Sequence, residues 1–397
     1  MSTVRRRRVV LTLLGLLAAT TALLTLACGD DDTATATAAA RATSTTTSGS
    51  DAPRVVRIGV VQSFTGAAAI YGNPVVEGIE LAAKELNAES ASTGIRVELT
   101  VVDDRSAAGD ATTAFASLIA DDVDAIIGPT LSQAAPEAHR LAQEAGVPVL
   151  GATTTAQGIT DVGDFVFRVA LPESVVVPAT LARVAKDTPL NGAVLVLDSS
   201  DAFSRSSAAA MRSGLAAAGG SLLTEIDVAT AAIDEALGRL EAEQVDVFLV
   251  TPLVETSAPV VRAIRAAGFE QPIVGGNGFN TPDIAQLAGT AIEGAYVGAA
   301  WNPGVGTETS RAFVRAFSEE YGSAPDLFAA QGYTSVYLVV DAARRAGAAT
   351  PSSLRDALAQ TRDLDTPLGS LSISDRREAT HSSVMQRYRN GQLVVVP

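Results

Sequence analysis

Short aliphatic, β-branched runs alternate along this chain with longer stretches in which apolar residues return every three or four positions. Val123–Thr155 shows the unit most clearly. Ala125-Ile126-Ile127 and Val147-Pro148-Val149-Leu150 have the character of buried parallel strands. Between them Ala134, Ala138, Leu141, Ala142 and Ala145 form one stripe at helical spacing. Ser132 can cap that helix, Pro136 suits its first turn, and Gly146 suits its C-terminal end. Two parallel strands joined in this way carry their following loops, GPTLS and GATTT, side by side. In an open α/β sheet ligands bind beyond the carboxyl ends of the strands, so these loops, rich in hydroxyls and free N–H groups, are the expected seat of a small polar ligand.

The unit recurs on both sides. Val55–Val61 predicts a strand, with Val75, Ile79, Ala82, Ala83 and Leu86 marking the next helix. Val97, Leu99 and Val101 alternate as a strand, and Phe115, Leu118 and Ile119 line another helix. Phe165–Pro172 is extended. The pattern then restarts with strands at 194–197, 245–250, 272–274 and 295–300 and helices at 208–218 and around Val260, Ile264 and Ala267. Helices are predicted over Arg311–Tyr321, Phe328–Ala346 and Ser352–Gln360. The tail returns to strand alternation, with a hairpin turn at Asn390-Gly391. Strand–helix repetition of this kind implies an α/β fold with helices on both faces of parallel sheets.

The first residues stand apart from this pattern. Arg5–Arg8 precede an apolar run, Val9–Leu26, that stops at Ala27-Cys28, as an export signal over 1–27 would. Cys28 is the only cysteine, so no intramolecular disulfide can form. Its place after Leu24-Thr25-Leu26-Ala27 looks like a bacterial lipidation site, although Thr25 stands where such sites carry Leu. Residues 29–53, rich in Thr, Ala and Ser, cannot bury enough surface to fold. Together with Cys28 they read as a tether spanning roughly 25–30 Å.

A length of 397 residues exceeds one ordinary domain, so a two-domain body from residue 54 is expected. The net charge of −15 argues against nucleic acid as a partner, since such binding rests on Lys and Arg neutralising phosphates. There are only two histidines, His139 and His381. His139 is placed on an exposed helix face and His381 in the tail. No metal cluster, phosphate-binding loop or nucleophile elbow is present in the sequence, and no cofactor or catalytic residue is expected.

Several stretches resemble the branched-chain amino-acid branch of transporter substrate-binding proteins, which have the type I periplasmic binding-protein fold. They are IGVVQSFTGAAAIYGNPVVEGIELAAKELNA, VVDDRSAAGDA, VDAIIGPTLS with AGVPVLGATTTAQGIT, VFRVALP, IVGGNGFNTP and YGSAPDLFAAQGYTSVYL. Together they span most of residues 54–397 in family order. The resemblance implies two Rossmann-like lobes, 54–171 with 301–367 and 172–300 with 368–397. Three hinge crossovers, near Val169–Pro172, Ala300–Pro303 and Thr366–Gly369, would join them. It implies a ligand-binding set of Ser132, Thr153 (through its backbone) and Thr155 in the first lobe, Tyr71 at the cleft wall, and Phe203 and Asn277 in the second. Trp301 would flank the cleft or pack beside the hinge.

The resemblance also implies an extracytoplasmic protein, a cell-membrane-anchored lipoprotein or a periplasmic one, that delivers an amino acid or related small polar molecule to the permease of an ABC importer. A ligand sensor reporting to a signalling partner is the alternative. Two departures bear on the ligand. Phe203 replaces the family's usual Tyr, and Leu253 or a neighbour stands where a second tyrosine often helps. Asn277 is neutral where amino-acid-binding members usually have an acid. Either Asp201 or Glu255 takes over that acid's role, or the ligand has no α-amino group, as in an amide, urea or carboxylate.

Overall fold

The computed structural model describes residues 6–8, 52–347 and 350–396. The expected export segment, Cys28 and the tether therefore lie outside the described residues, except for Ala52-Pro53 and for Arg6–Arg8, which runs antiparallel along the edge of the first sheet. Among the described residues no helix is long and apolar enough to cross a membrane.

The first sheet is built from β1 (Arg54–Gln62), β2 (Ile95–Asp103), β3 (Ala125–Ile127), β4 (Val149–Gly151) and β5 (Val166–Arg168), all parallel, in the order β2-β1-β3-β4-β5. Val56, Ile58 and Val60 on β1 and all of β3 are buried, because helices cover both faces. These helices are α1 (Ala69–Ala88), α2 (Ala108–Ala120) and α3 (Ala135–Ala145).

The second sheet contains β6 (Ala193–Leu197), β7 (Leu222–Asp227), β8 (Val247–Val250), β9 (Ile273–Gly275) and β10 (Tyr296–Ala299), parallel in the order β10-β9-β8-β6-β7. Its helices include α4 (Glu173–Val184), α5 (Ala202–Ala217) and α6 (Val254–Ala266). β7 was not foreseen. It is a sheet-edge strand with Leu223 and Glu225 exposed, so its apolar signal is thin.

After β10 the chain returns to the first lobe as α7 (Glu308–Tyr321) and α8 (Leu327–Ala346), followed by α9 (Pro351–Ala359). α8 crosses α1 at backbone contact: a Cβ on Gly78 would lie 2.0 Å from the Ala329 carbonyl oxygen, and one on Gly332 would lie 2.3 Å from that of Val75. Any side chain at either position would force the two helices apart.

The third passage between lobes comes later than expected. Thr366–Gly369 is the turn of a hairpin, β11 (Leu364–Thr366) with β12 (Gly369–Ile373), and β13 (Ala379–Thr380) pairs with β12. This small sheet stays with the first lobe, because Arg168 of β5 bridges to Glu378 and the Ile373 amide bonds the Thr361 carbonyl at 3.0 Å. The chain reaches the second sheet only at β14 (Val384–Arg389), antiparallel to β10, and ends in β15 (Gln392–Val395). Asn390 and Gly391, both with positive φ, make the two-residue turn between these strands.

Candidate functional site

The carboxyl ends of the strands in both lobes face one cleft. Its walls are Tyr71, Thr130, Leu131, Ser132, Thr153 and Phe328 from the first lobe and Phe203, Leu253, Asn277 and Gly278 from the second, around one shared space. Five of the six expected ligand residues therefore meet there. The walls are mainly aromatic and aliphatic with a few polar groups, which is the usual make-up of a small-molecule site. They carry no charged side chain.

Thr130 and Ser132 lie in the loop between β3 and α3. The Thr130 hydroxyl accepts the Ser63 amide hydrogen at 2.8 Å and donates to Gln62 Oε1 at 2.7 Å, tying the loop to the end of β1. Ser132 does not cap α3: that helix has Ala134 at its N-cap position and no side-chain cap. Instead the Ser132 hydroxyl meets the Ala156 amide at 3.4 Å, a long and weak contact that leaves it available to a ligand. At the other end of α3, Gly146 takes the left-handed conformation foreseen for it.

Thr153 does more than lend its backbone. Its hydroxyl donates to the Thr130 carbonyl at 2.7 Å and locks the GATTT loop onto the GPTLS loop. Thr155 is not among the cleft walls. It is buried, and its hydroxyl has no partner among the described residues.

Tyr71 reaches across the cleft. Its hydroxyl accepts the Val254 amide hydrogen at 2.9 Å and donates to the Gly278 carbonyl at 3.2 Å. Its ring meets Phe328 edge-on at 5.1 Å. Burial pushes the phenol well above its usual range, so it remains a neutral O–H. A second interlobe bond runs from the Gln157 amide to the Ser206 hydroxyl at 2.8 Å. Phe203 is buried against the same space and supplies an apolar wall.

Neither acid expected to compensate for Asn277 lines the cleft. The Asp201 carboxylate caps α5 by accepting the Ser204 amide at 2.8 Å, and Glu255 lies in the first turn of α6. Burial raises both above the ordinary carboxylate range. The acid nearest Asn277 is one the sequence reading missed. Glu173, fully buried at the start of α4, accepts the Asn277 amide at 2.6 Å and the Ser207 hydroxyl at 2.7 Å. It lines a separate, smaller cavity behind the Gly276-Asn277 backbone. Burial pushes its carboxyl up too, partly offset by those two bonds.

Trp301 is a packing residue. Its ring is buried against Phe313, and its N–H donates to Ser310 Oγ at 2.9 Å. His139, expected at the surface, is fully buried. Its Nε2 meets the Gly128 carbonyl at 3.0 Å and its ring lies beside Phe115. Burial lowers its pKa to about 4, so the ring is neutral. No metal-binding group of His, Cys, Asp and Glu exists among the described residues.

The periplasmic binding protein family model matches residues 55–392. The chain belongs to the periplasmic binding protein family. Its members bind solutes rather than catalyse reactions; the chain has the type I fold and is similar in sequence to Leu/Ile/Val-binding proteins. Leu/Ile/Val-binding protein homolog 2 of Brucella abortus is 22% identical over 343 residues, covering 85% of this chain and 91% of the relative. Among solved structures, the leucine-binding protein LivK of Thermotoga maritima is 25% identical, with a TM-score of 0.78 over 86% of this chain and 98% of its own. LivJ of Streptococcus pneumoniae, solved with isoleucine, is 26% identical with a TM-score of 0.79 over 86% and 99%. A Rhodopseudomonas palustris solute-binding protein holding benzoate shares the fold at 23% identity, with a TM-score of 0.77 over 86% and 96%.

Thr130, Leu131, Gly278 and Phe328 complete the periplasmic binding protein's cleft without having been singled out from the sequence. Thr130 and Leu131 stand immediately before Ser132 in the GPTLS loop, so a reading of the whole loop could have found them. Phe328 lies 257 positions after the tyrosine it packs against, and no local signal links the two.

Proposed function

We propose that this protein is the solute receptor of an ABC importer, held outside the cytoplasmic membrane by a lipid on Cys28. It captures a small polar molecule between its lobes and delivers it to a permease. The supporting observation is the cleft itself. Ser132, Thr153 and Tyr71 on one side and Phe203 and Asn277 on the other share one space, where a ligand touching both lobes favours the closed form over the open one.

On this reading the first lobe comprises residues 54–171 and 301–380, and the second 172–300 with 384–396. Ser132 and the Thr153 loop hold the polar head of the ligand, while Phe203, Leu253 and Phe328 enclose its body. Isoleucine in LivJ and benzoate in the Rhodopseudomonas protein mark the ligand size to be tested first.

The test is a thermal-shift screen against amino acids, amides, ureas and small monocarboxylates. A ligand specific for the folded state raises the melting temperature by mass action, by a few degrees at about a hundredfold excess over Kd. No shift with any member of the panel would overturn the proposal. Membrane attachment is tested separately: Cys28→Ala should release the protein from the membrane fraction.

A further inference from the structure

Asn277 faces the cleft with a polarity set by its neighbours. Asn302, in the second crossover, accepts the Gly304 amide on Oδ1 at 2.8 Å and gives its amino group to the Leu393 carbonyl at 3.2 Å and to Gln386 Oε1 at 2.5 Å. Gln386 on β14 is thereby oriented to give its own amino group to Asn280 Oδ1 at 2.6 Å. Asn280 donates to the Gly298 carbonyl at 2.9 Å and, from the same amino group, to Asn277 Oδ1 at 2.9 Å. Backbone groups of a single polarity fix Asn302 and Asn280, so none of these amides can flip without breaking bonds. Asn302, Gln386 and Asn280 are all buried. The relay engages one lone pair of the Asn277 carbonyl oxygen and leaves its amino group without an acceptor among the described residues, on a residue that lines both the cleft and the smaller cavity beside Glu173.

This arrangement bears directly on the ligand. An ammonium group needs several acceptors, and here the walls carry no carboxylate while Asn277 Oδ1 already accepts from Asn280. A buried ammonium without an acceptor is costly. The other side of the cleft offers the Ser132 hydroxyl and an apolar enclosure of Leu131, Phe203, Leu253 and Phe328.

We infer that the ligand presents an oxygen acceptor, not an ammonium, to Asn277: it is a small monocarboxylate with an apolar body, of the 2-oxo acid type. This rests on the reading of the cleft as a solute site and specifies which solute chemistry fits it. The Ser132 loop receives the carboxylate, the Asn277 amino group donates to the neighbouring carbonyl oxygen, and the aliphatic or aromatic body fills the enclosure.

The experiment is calorimetric titration of the full chain with two matched probes, L-leucine and 4-methyl-2-oxopentanoate, which differ in ammonium against carbonyl oxygen. The 2-oxo acid should bind at least about tenfold tighter, because a site built for one hydrogen-bonding pattern rejects its opposite. Asn277→Asp replaces the donor with an acceptor of the same shape and should reverse the order. Leucine binding tighter to the unaltered protein would overturn the inference and leave the solute-receptor reading intact. Failure of both probes, together with no thermal shift from any monocarboxylate or amino acid, would overturn both.

Discussion

The Tyr71 hydroxyl accepts the amide hydrogen of Val254 at 2.9 Å, joining helices of opposite lobes that are 183 positions apart in sequence. The same hydroxyl donates to the Gly278 carbonyl, so one side chain of the first lobe satisfies two backbone groups of the second. These groups belong to the start of α6 and the loop after β9, both at the cleft. Tyr71 thus closes the cleft as well as lining it. A net hydrogen bond contributes about 0.5–1.5 kcal/mol, so Tyr71→Phe should raise Kd roughly three- to tenfold while leaving the fold unchanged. Titration with any ligand found by thermal shift checks this; an unaltered Kd would remove Tyr71 from the closing contacts.

Ser132 offers the least committed hydroxyl at the first-lobe wall, since its one bond, to Ala156, is long. Ser132→Ala should therefore lower ligand affinity about tenfold or more with little change in the melting temperature of the unliganded protein. Thr153→Ala, by contrast, breaks the 2.7 Å tie to the Thr130 carbonyl and should lower both. Comparing the two variants by calorimetry and thermal unfolding separates a ligand contact from a loop support.

Much of this site was legible in the sequence because neighbouring strands bring their following loops together, and Val123–Thr155 holds two such loops. The helix pattern was read less well at His139. Ala135, Ala138, His139 and Ala142 are the buried positions and fall on one helical stripe, so the ring expected on the exposed face lies inside. The third crossover was misplaced because Thr366–Gly369 carries a turn signal that serves a hairpin within the first lobe. The ordering of the amides around Asn277 had no sequence signature at all, as Asn302, Gln386 and Asn280 come from three distant segments.

Arg168 anchors that late hairpin region. Its guanidinium is 2% exposed, donates to the Ala156 carbonyl at 2.6 Å and pairs with Glu378. Glu378→Ala leaves the buried cation short of its counter-charge. The expected cost is roughly 2 kcal/mol, below the range for fully buried pairs because Glu378 itself is partly exposed. Urea unfolding should show this loss; no change would mean that the small sheet contributes nothing to the first lobe.

Asp326 gives a pH dependence of known sign. It caps α8 by accepting the Ala329 amide at 2.9 Å, and burial pushes its carboxyl up to about 7 from its ordinary 3.8. The folded state therefore binds a proton that the unfolded state has already released. Its stabilising contribution is complete below pH 3.8 and is lost as the pH rises through 7. Asp326→Asn keeps a capping oxygen and cannot ionise. Between pH 5 and pH 8 the variant should lose less unfolding free energy than the unaltered protein. An identical pH dependence in both would show that Asp326 does not titrate in this range.

The most direct test of the central claim, that a solute is held between two lobes which close on it, is small-angle X-ray scattering on the unaltered protein and on Tyr71→Phe. Each is measured with and without a saturating ligand from the thermal-shift screen. Ligand should reduce the radius of gyration, with the larger reduction in Tyr71→Phe, whose free form lacks the latch to Val254 and Gly278. A ligand that raises the melting temperature yet leaves the radius of gyration of both proteins unchanged would contradict closure of the lobes around it.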